Sequence, residues 1–239
     1  MLAAMTETPR YAIYYVPALH SELDRFGAHL LGYDAFRRET LPFPDDIEQL
    51  LPDWRDLTQD PRKYGFHATL KAPMVLADGM SEAELLAACA EFAAMPRPIP
   101  TFAPVVNAIG DFIAIVPSQP SAELQALAAD AVSRFDGFRA PLTAGDRARR
   151  NPDRLPPRQR EYLERWGYPY VMEEFRFHMT LTGRLPAERH ETVLAILRQR
   201  FGALNMNSIA VDRLALFKQS DSSSGFRIVR QYSLTRAQA

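Results

Sequence analysis

Two copies of one five-residue pattern, Phe-His-x-Thr-Leu, restrict the folds open to this chain. They occupy residues 66–70 (FHATL) and 177–181 (FHMTL). Successive side chains of a β-strand point to opposite faces. Each segment therefore places its histidine and threonine on one face and three apolar side chains on the other. The pattern predicts two strands with polar faces of the same chemistry, each packed on a helix through its apolar face.

The order of predicted elements around the two patterns also repeats. Each histidine-bearing strand is followed by a helix and then by two strands, and a capping box at Ser81 and Glu84 starts the first of these helices. Residues 41–62 read as an extended connection with one short helix. The predicted strands are 10–16, 65–70, 102–108, 111–116, 174–182, 208–217 and 226–234, and the predicted helices are 21–32, 81–94, 121–135, 157–166 and 186–201.

This repetition predicts an α+β fold that is bilobal and internally duplicated. Each lobe is expected to be an antiparallel sheet backed by helices, with a central groove between the lobes. We expect one two-lobed domain over residues 1–239, with approximate lobes 10–120 and 121–239 and with room for strands to be exchanged between them. A chain of 239 residues that is 47% apolar can bury such a core.

Charge and cysteine content narrow the class of partner and compartment. The formal net charge is −1, which does not favour nucleic-acid or membrane binding by the chain as a whole. The single cysteine, Cys89, fits a reducing compartment. Residues 1–9 show no signal-peptide pattern, and no apolar run is long enough to span a membrane. We expect a cytoplasmic protein.

The paired histidines suggest acid–base chemistry on a phosphate ester. Free histidine titrates near pH 6.5, so one ring can accept a proton from water while the other donates one to a leaving alkoxide. Threonine hydroxyls can donate to phosphoryl oxygens, where negative charge must be held in the transition state. His67, Thr69, His178 and Thr180 are the predicted catalytic residues. A single copy of the pattern would carry little weight, because a strand histidine often satisfies only a local hydrogen bond.

Several longer segments identify a family resemblance. The chain resembles the two-histidine (2H) phosphoesterase superfamily and, within it, a branch of uncharacterised proteins encoded with phosphonate-utilisation genes. The resemblance rests on the paired His-x-Thr patterns and on segments 10–17 (RYAIYYVP), 61–73 (PRKYGFHATLKAP), 135–142 (FDGFRAPL), 166–171 (WGYPYV) and 175–183 (FRFHMTLTG). It implies an enzyme that cleaves cyclic or related phosphodiesters without metal or cofactor. The expected substrate is a small cyclic or sugar phosphate, with His67 and His178 as the acid–base pair.

Five further residues are predicted to bind substrate. Arg62 and Tyr64 precede the first pattern, Lys71 and Arg176 share the polar faces of the strands, and Arg139 belongs to an arginine-rich segment, residues 134–165. That segment has nine arginines and five acidic residues. It fits a basic cap over an anionic substrate and equally well a solvated loop of ion pairs.

Three other functions remain open on the sequence. The same groups could bind a phosphorylated metabolite without turning it over. A role in processing RNA 2′,3′-cyclic phosphates or 2′,5′ linkages is disfavoured by the near-neutral charge. A metallohydrolase is disfavoured because a catalytic zinc site usually has three protein ligands, and two histidines are too few.

Overall fold

The structure is a computed structural model that describes residues 8–237. It confirms the α+β class, with a seven-stranded antiparallel sheet and nine α-helices within the described residues. The strands are β1 (Arg10–Tyr15), β2 (Tyr33–Asp34), β3 (Glu39–Thr40), β4 (Ala68–Val75), β5 (Thr101–Phe102), β6 (Pro104–Ile109), β7 (Phe112–Pro117), β8 (Met179–Thr180), β9 (Ile209–Ala210), β10 (Arg213–Gln219) and β11 (Arg227–Ser233). The helices are α1 (Glu22–Leu31), α2 (Ile47–Leu50), α3 (Trp54–Leu57), α4 (Gln59–Arg62), α5 (Glu82–Ala94), α6 (Ala122–Phe135), α7 (Ala144–Ala148), α8 (Pro157–Trp166) and α9 (His190–Gly202).

The main sheet has the strand order β11-β10-β1-β4-β8-β7-β6. Strands β4 and β8, which carry the two Phe-His-x-Thr-Leu patterns, are hydrogen-bonded neighbours near its centre. The C-terminal strands β10 and β11 lie beyond β1, and the hairpin of β6 and β7 lies beyond β8. The two polar faces therefore lie side by side on one continuous sheet. They do not belong to separate sheets that face each other.

Local signals in the sequence explain where most helices begin and end. The Ser21 hydroxyl accepts a hydrogen bond from the Asp24 amide at the start of α1, and Gly32 ends that helix with φ = 70°. Ser81 and Glu84 form the predicted capping box of α5. These caps confirm the helices that the sequence predicts at these positions.

Each face of the main sheet covers a different cluster of buried residues. The larger cluster, here called the main core, includes Ala68, Leu70, Met179 and the inward residues of α5, α6 and α9. The smaller one, here called the minor core, lies on the opposite face and contains Ala12, Tyr14, Val16, Ala35, Ala215, Phe217 and Phe226. The sheet is therefore covered by helices on one face, and its other face is open for a site beside the minor core.

Three parts of the chain differ from the predicted elements. Residues 41–62 contain three short helices where one was expected. The predicted strand 174–182 is reduced to β8, because the chain turns at Met172 with φ = 50° and forms a 3-10 turn over Met172–Glu174. The predicted strand 208–217 is divided into β9 and β10, which belong to different sheets.

The structure also bears on the membrane prediction. Within residues 8–237 no helix has the length and apolar character needed to cross a bilayer. The predicted absence of a signal peptide concerns residues 1–9, and of these residues 1–7 lie outside the described part of the chain.

Candidate active site

Four polar side chains converge on the open face of the main sheet where β4 and β8 pair. Ala68 is opposite Met179 in this antiparallel pair. By the same register, His67 is opposite Thr180, and Thr69 is opposite His178. Directly opposed Cβ atoms lie about 4.5–5.5 Å apart and diagonal neighbours roughly 7–8 Å apart. Together these residues form a group of phosphoryl size, here called the His–Thr square: His67, Thr69, His178 and Thr180.

Burial alternates along both strands as the Phe-His-x-Thr-Leu pattern predicts. Ala68 and Met179 belong to the main core and are 1% and 0% exposed. The four members of the His–Thr square are half-buried on the other face. The square is therefore accessible from the side of the sheet that the main core does not cover.

Both imidazoles are oriented by the same backbone contact. His67 Nδ1 lies 2.8 Å from the carbonyl oxygen of Gly65, and His178 Nδ1 lies 2.7 Å from that of Arg176. A carbonyl only accepts, so each Nδ1 carries the proton and donates it. In the neutral rings Nε2 then carries a lone pair, and that of His67 lies 3.5 Å from the Thr69 hydroxyl oxygen. Each histidine is held two residues after its acceptor and is ready to exchange a proton through Nε2.

Burial lowers the pKa of both histidines. Desolvation is the largest cause for His67, and the neighbouring charge of His178 lowers it further, so that its pKa falls to about 4 although the Gly65 carbonyl opposes the shift. Desolvation also lowers the pKa of His178, against the contribution of the Arg176 carbonyl. The electrostatic influence of His178 on His67 agrees with their diagonal positions in the square.

Aromatic side chains form the walls around the square. The ring of Tyr14 stacks on His67 with centroids 3.9 Å apart and planes at 24°. Tyr64, a predicted substrate ligand, lies 6.0 Å from His67 and stacks on Phe226 at 5.1 Å. Phe112 lies 5.5 Å from His178. These walls exclude water from one side of each imidazole, which is the physical origin of the lowered pKa values.

Lys71 does not share the polar face, contrary to the prediction. The register of β1 and β4 shifts between the Tyr14–Thr69 pair and the Ile13–Lys71 pair, so alternation is broken after Thr69. Lys71 is 3% exposed. Its Nζ donates to Asp136 Oδ1 at 2.6 Å and to the carbonyl of Val132, at the end of α6. It joins β4 to α6 on the helix side of the sheet.

Two of the predicted arginine ligands are engaged inside the protein. Arg62 donates to the carbonyls of Leu31 and Arg55 and to the Thr58 hydroxyl. Arg139 donates to Asp136 and to the carbonyls of Ala140 and Arg165. These donors connect segments of the fold, and the role of Arg62 and Arg139 as substrate ligands stays a prediction.

Arg176 is exposed, and within the described residues its side chain makes no hydrogen bond or ion pair. It follows a different pattern from Arg62 and Arg139 and remains available to a ligand near His178. Its role as a substrate ligand stays a prediction.

The arginine-rich segment combines the two interpretations that the sequence allowed. Arg134, Arg139, Arg147 and Arg149 form ion pairs with acidic residues, as in a solvated loop. Arg150 instead lies over the ring of Tyr168 at 4.8 Å. Residues 139–171, here called the cap, therefore have two internal ion pairs, Arg147–Glu164 and Arg149–Asp146, and one guanidinium on an aromatic ring near the site.

The sequence did not identify the residues that orient and enclose the histidines. Gly65 supplies the carbonyl that accepts from His67, and its φ of 73° suits glycine. The second pattern has Arg176 at the corresponding place, so no repeated residue marks this role. Phe112 and Phe226 are far from both patterns along the chain. No group of three or more metal-ligating side chains occurs in residues 8–237.

A family model described as "Protein of unknown function (DUF1045)" matches residues 69–227, well over half of the chain. This span contains Thr69, His178 and Thr180 and begins two residues after His67.

Two curated relatives carry the printed name "Ribose 1,5-bisphosphate phosphokinase PhnN". The protein from Janthinobacterium sp. (strain Marseille) is 36% identical over 227 residues, which are 91% of this chain and 49% of the relative. The protein from Laribacter hongkongensis (strain HLHK9) is 33% identical over 232 residues, covering 92% of this chain and 51% of the relative. The chain spans about half the length of both relatives.

Among solved structures, E. coli LigT complexed with 3′-AMP is similar over 96% of this chain and 100% of that one, with 14% identity and a TM-score of 0.39. A structure described only as a phosphoesterase has the same coverage, 14% identity and a TM-score of 0.40. At these scores the likeness adds nothing to the fold assignment, which follows from the strands and helices of the chain itself.

Proposed function

The chain belongs to the DUF1045 family of proteins of unknown function, and from its site we propose that it is a phosphoesterase of the two-histidine type. It opens a small cyclic or sugar phosphate by acid–base catalysis from His67 and His178. The observation that carries the proposal is the His–Thr square, in which two identically oriented imidazoles and two hydroxyls share one accessible face of the sheet.

The proposed reaction transfers two protons through the imidazoles. A water oxygen bonds to phosphorus as Nε2 of neutral His67 accepts the water proton. The bond from phosphorus to the leaving oxygen breaks as protonated His178 donates from Nε2. One water is consumed, and the products are a phosphate monoester and a free hydroxyl. Each transfer contributes about 10²–10⁴-fold to the rate.

The two hydroxyls of the square complete this scheme. Thr69 and Thr180 donate to the non-bridging phosphoryl oxygens, where negative charge increases in the transition state. Because Thr69 is opposite His178 and Thr180 is opposite His67, the hydroxyls and imidazoles alternate around the phosphoryl group. His67 is proposed as the base because it is the more strongly desolvated ring, and a desolvated imidazole favours its neutral form.

The names of the relatives suggest a substrate class. Both are named for a kinase of ribose 1,5-bisphosphate, and this chain matches about half of each. We propose that this half acts on a phosphorylated ribose and that the named kinase activity resides in the other half. The sequence of the chain contains no Gly-x4-Gly-Lys-Ser/Thr phosphate-binding loop. A role in phosphonate metabolism, expected from the family resemblance, is part of the same proposal.

A phosphorus-NMR screen tests the proposal directly. Cyclic ribose phosphates and cyclic nucleotides are incubated with the wild type in a chelator, and the appearance of a monoester signal is followed. We expect turnover by the wild type and a loss of at least about 10²-fold in each of His67→Ala and His178→Ala, because each removes one proton transfer.

His29→Ala is the matched control for these variants. His29 also has Nδ1 on a backbone carbonyl, that of Pro42 at 3.0 Å, but it lies half-buried on α1, outside the square. We expect this variant to keep wild-type turnover. If His67→Ala and His178→Ala both kept near-wild-type rates, the acid–base proposal would be wrong. Tight binding of an intact cyclic phosphate without any product would instead favour a binding module.

A further inference from the structure

Four side chains from separate parts of the chain lie near one another around His67, two through ring contacts with it and two through electrostatic coupling to those rings. Tyr14 lies on β1, Tyr64 precedes β4, and Tyr168 and Arg150 belong to the cap. Tyr14 and Tyr64 contact the His67 ring, and Arg150 lies over the ring of Tyr168. We call this group the Tyr–Arg cluster: Tyr14, Tyr64, Tyr168 and Arg150.

Mutual electrostatic effects show that the members are close together. Burial raises the pKa of Tyr14 well above its usual range, Tyr64 and Tyr168 raise it further, and Arg10 and Arg150 oppose the shift. Burial also raises the pKa of Tyr168, where Arg150 opposes the shift and Tyr64 adds to it. Tyr14 and Tyr168 therefore remain protonated hydrogen-bond donors, and Arg150 supplies the positive charge of the cluster.

The donors of the cluster have no protein acceptor. In the part of the chain that the structure describes, the hydroxyls of Tyr14, Tyr64 and Tyr168 make no hydrogen bond, and Arg150 makes no side-chain hydrogen bond or ion pair. Tyr14 is only 1% exposed, but its hydroxyl keeps a small contact with solvent, because the fully buried unpartnered side-chain atoms of the described residues lie on Arg200 and Arg227. Four tyrosines outside the cluster do have a protein acceptor: Tyr11 donates to Glu82, Tyr33 to the Phe226 carbonyl, Tyr162 to Glu173 and Tyr232 to the Leu86 carbonyl.

The chemistry of these donors defines the missing ligand. Three phenolic O–H groups and a guanidinium require several acceptor oxygens and negative charge, which a phosphate monoester provides. Asp146 is the carboxylate electrostatically coupled to Arg10. It is already bonded to Thr143 and Arg149, so it does not neutralise the positive charge of the cluster. An arginine fork binds phosphate oxygens in pairs, and its flat face stays on the Tyr168 ring.

We propose that the Tyr–Arg cluster binds a phosphate monoester carried by the same substrate whose cyclic phosphate occupies the His–Thr square. The inference rests on the proposed function and narrows it to a doubly phosphorylated substrate. Tyr14 belongs to both sites, since its ring stacks on His67 and its hydroxyl is electrostatically coupled to Tyr64, Tyr168 and Arg150. A sugar-sized unit beside Tyr14 and Tyr64 would connect the two phosphates.

The test compares two probes that differ by one phosphate. Ribose 2,3-cyclic phosphate and its 5-phosphorylated form are titrated by calorimetry into His178→Ala protein, so that neither is consumed. We expect the 5-phosphate to lower Kd by about tenfold or more, the usual effect of hydrogen bonds to a charged group. In Arg150→Gln and in Tyr168→Phe, each added to the same protein, most of this advantage is expected to disappear.

Arg154→Gln is the matched control. It removes the same charge from the same cap at an exposed position with no side-chain contact in the described residues, and we expect it to keep the full advantage of the 5-phosphate. Equal Kd values for the two probes, or a loss of the advantage in Arg154→Gln as large as in Arg150→Gln, would overturn the inference. If the wild type turns over both probes but their Kd values are equal, the phosphate-binding role of the cluster is rejected and the phosphoesterase proposal stands. If binding depends on the 5-phosphate but the wild type turns over neither probe, the phosphoesterase proposal is rejected and the role of the cluster stands.

Discussion

The two histidines of the square are chemically similar but sit in different surroundings, and this difference predicts the pH dependence of catalysis. The His67 ring is stacked on Tyr14 and has a pKa of about 4. The pKa of His178 is also lowered, but its ring has no comparable stacking contact within the described residues. Catalysis needs one neutral and one protonated imidazole. For kcat/KM, which reports the free enzyme, both ionisations fall below the usual histidine value.

We therefore expect a bell-shaped profile of kcat/KM with its maximum on the acidic side of pH 6.5. As pH is raised, activity should increase around pH 4, where the first proton leaves the pair. It should decrease again at a higher pH that is still below 6.5, where the second proton leaves. The two apparent values belong to the pair, because the rings interact. The measurement is initial rate against pH at low substrate concentration. A maximum above pH 7.5 would contradict the lowered pKa values.

The sequence predicted which four side chains converge on the sheet but not the full set of contacts around them. His67, Thr69, His178 and Thr180 follow from the period of a β-strand, which alternation determines locally. Alternation alone would place Lys71 on the same face as these residues, but a register shift against β1 turns its side chain to the helix side of the sheet. Such a shift depends on the partner strand, which local alternation does not encode. Arg62 donates to the Leu31 carbonyl and Arg139 to the Arg165 carbonyl, both distant along the chain. No pattern near either arginine in the sequence predicts these contacts.

At the scale of elements, close packing against helix α1 positions the start of strand β4. Gly27 lies in α1, and a Cβ added there would come within 2.0 Å of the ring of Phe66, the residue before His67. The ring fills the space that a glycine leaves on the helix. Phe66 therefore fixes the start of β4 only while residue 27 has no side chain.

We expect Gly27→Ala to destabilise the protein and to reduce activity, because the Phe66 ring must move and carry His67 with it. Replacing glycine by alanine within a helix normally raises the free energy of unfolding by up to about 1 kcal/mol. A decrease in the free energy of unfolding of Gly27→Ala would therefore be opposite to the usual effect. Gly202→Ala in α9 is the control, since a Cβ there meets nothing within 4 Å. Denaturant unfolding and turnover are measured for both. Equal stabilities of the two variants would show that Phe66 does not depend on the glycine.

Local signals predicted most elements, and long-range pairing accounts for the differences. The capping residues at Ser21 and Ser81 act within one turn, so the sequence is sufficient to locate α1 and α5. The predicted strand 174–182 is mostly not a strand, since pairing with β4 and β7 reaches only Met179 and Thr180. A period-2 pattern indicates a face but does not determine how far the neighbouring strand extends.

At the scale of the whole molecule, the site depends on one strand pair in a seven-stranded sheet. Strands β4 and β8 are distant in sequence, and their contact joins the β11-β10-β1-β4 side to the β8-β7-β6 side. The repeated pattern implied that the histidines converge, but it did not imply a shared sheet. Strand order follows from the packing of the complete chain and was not predictable from either half.

Burial of both histidines also makes the stability of the whole protein depend on pH. A histidine whose pKa is lower in the folded state binds fewer protons there than in the unfolded chain, so the unfolded state gains stability as pH falls. The contribution of His67 is present above about pH 6.5 and is lost between 6.5 and about 4. This shift corresponds to at most about 3 kcal/mol. His178 acts in the same direction.

Carboxylates add to this loss only at lower pH. The pKa of Asp136 is lowered by Arg139 and Lys71, although burial opposes the shift, and that of Glu82 is lowered by Lys218 and Tyr11 against the same opposition. Such groups stabilise the fold above their unfolded pKa of about 4 and lose that contribution as pH falls through the folded value. Between pH 6.5 and about 4.5 these carboxylates therefore stay ionised, and Asp24, whose pKa is raised by burial, acts in the opposite direction in the wild type and in the histidine variants alike.

We expect the free energy of unfolding to decrease between pH 6.5 and 4.5 in the wild type and to decrease much less in the double variant His67→Gln, His178→Gln. Glutamine keeps a polar side chain in each place but binds no proton in this interval. Denaturant unfolding at several pH values measures the slope, and the single variants apportion it, with the larger share expected from His67 because its ring is the more desolvated. Equal slopes in the wild type and the double variant would mean that both imidazoles are as well hydrated in the folded chain as in the unfolded one, and the enclosed site that burial and stacking describe would then not exist in solution.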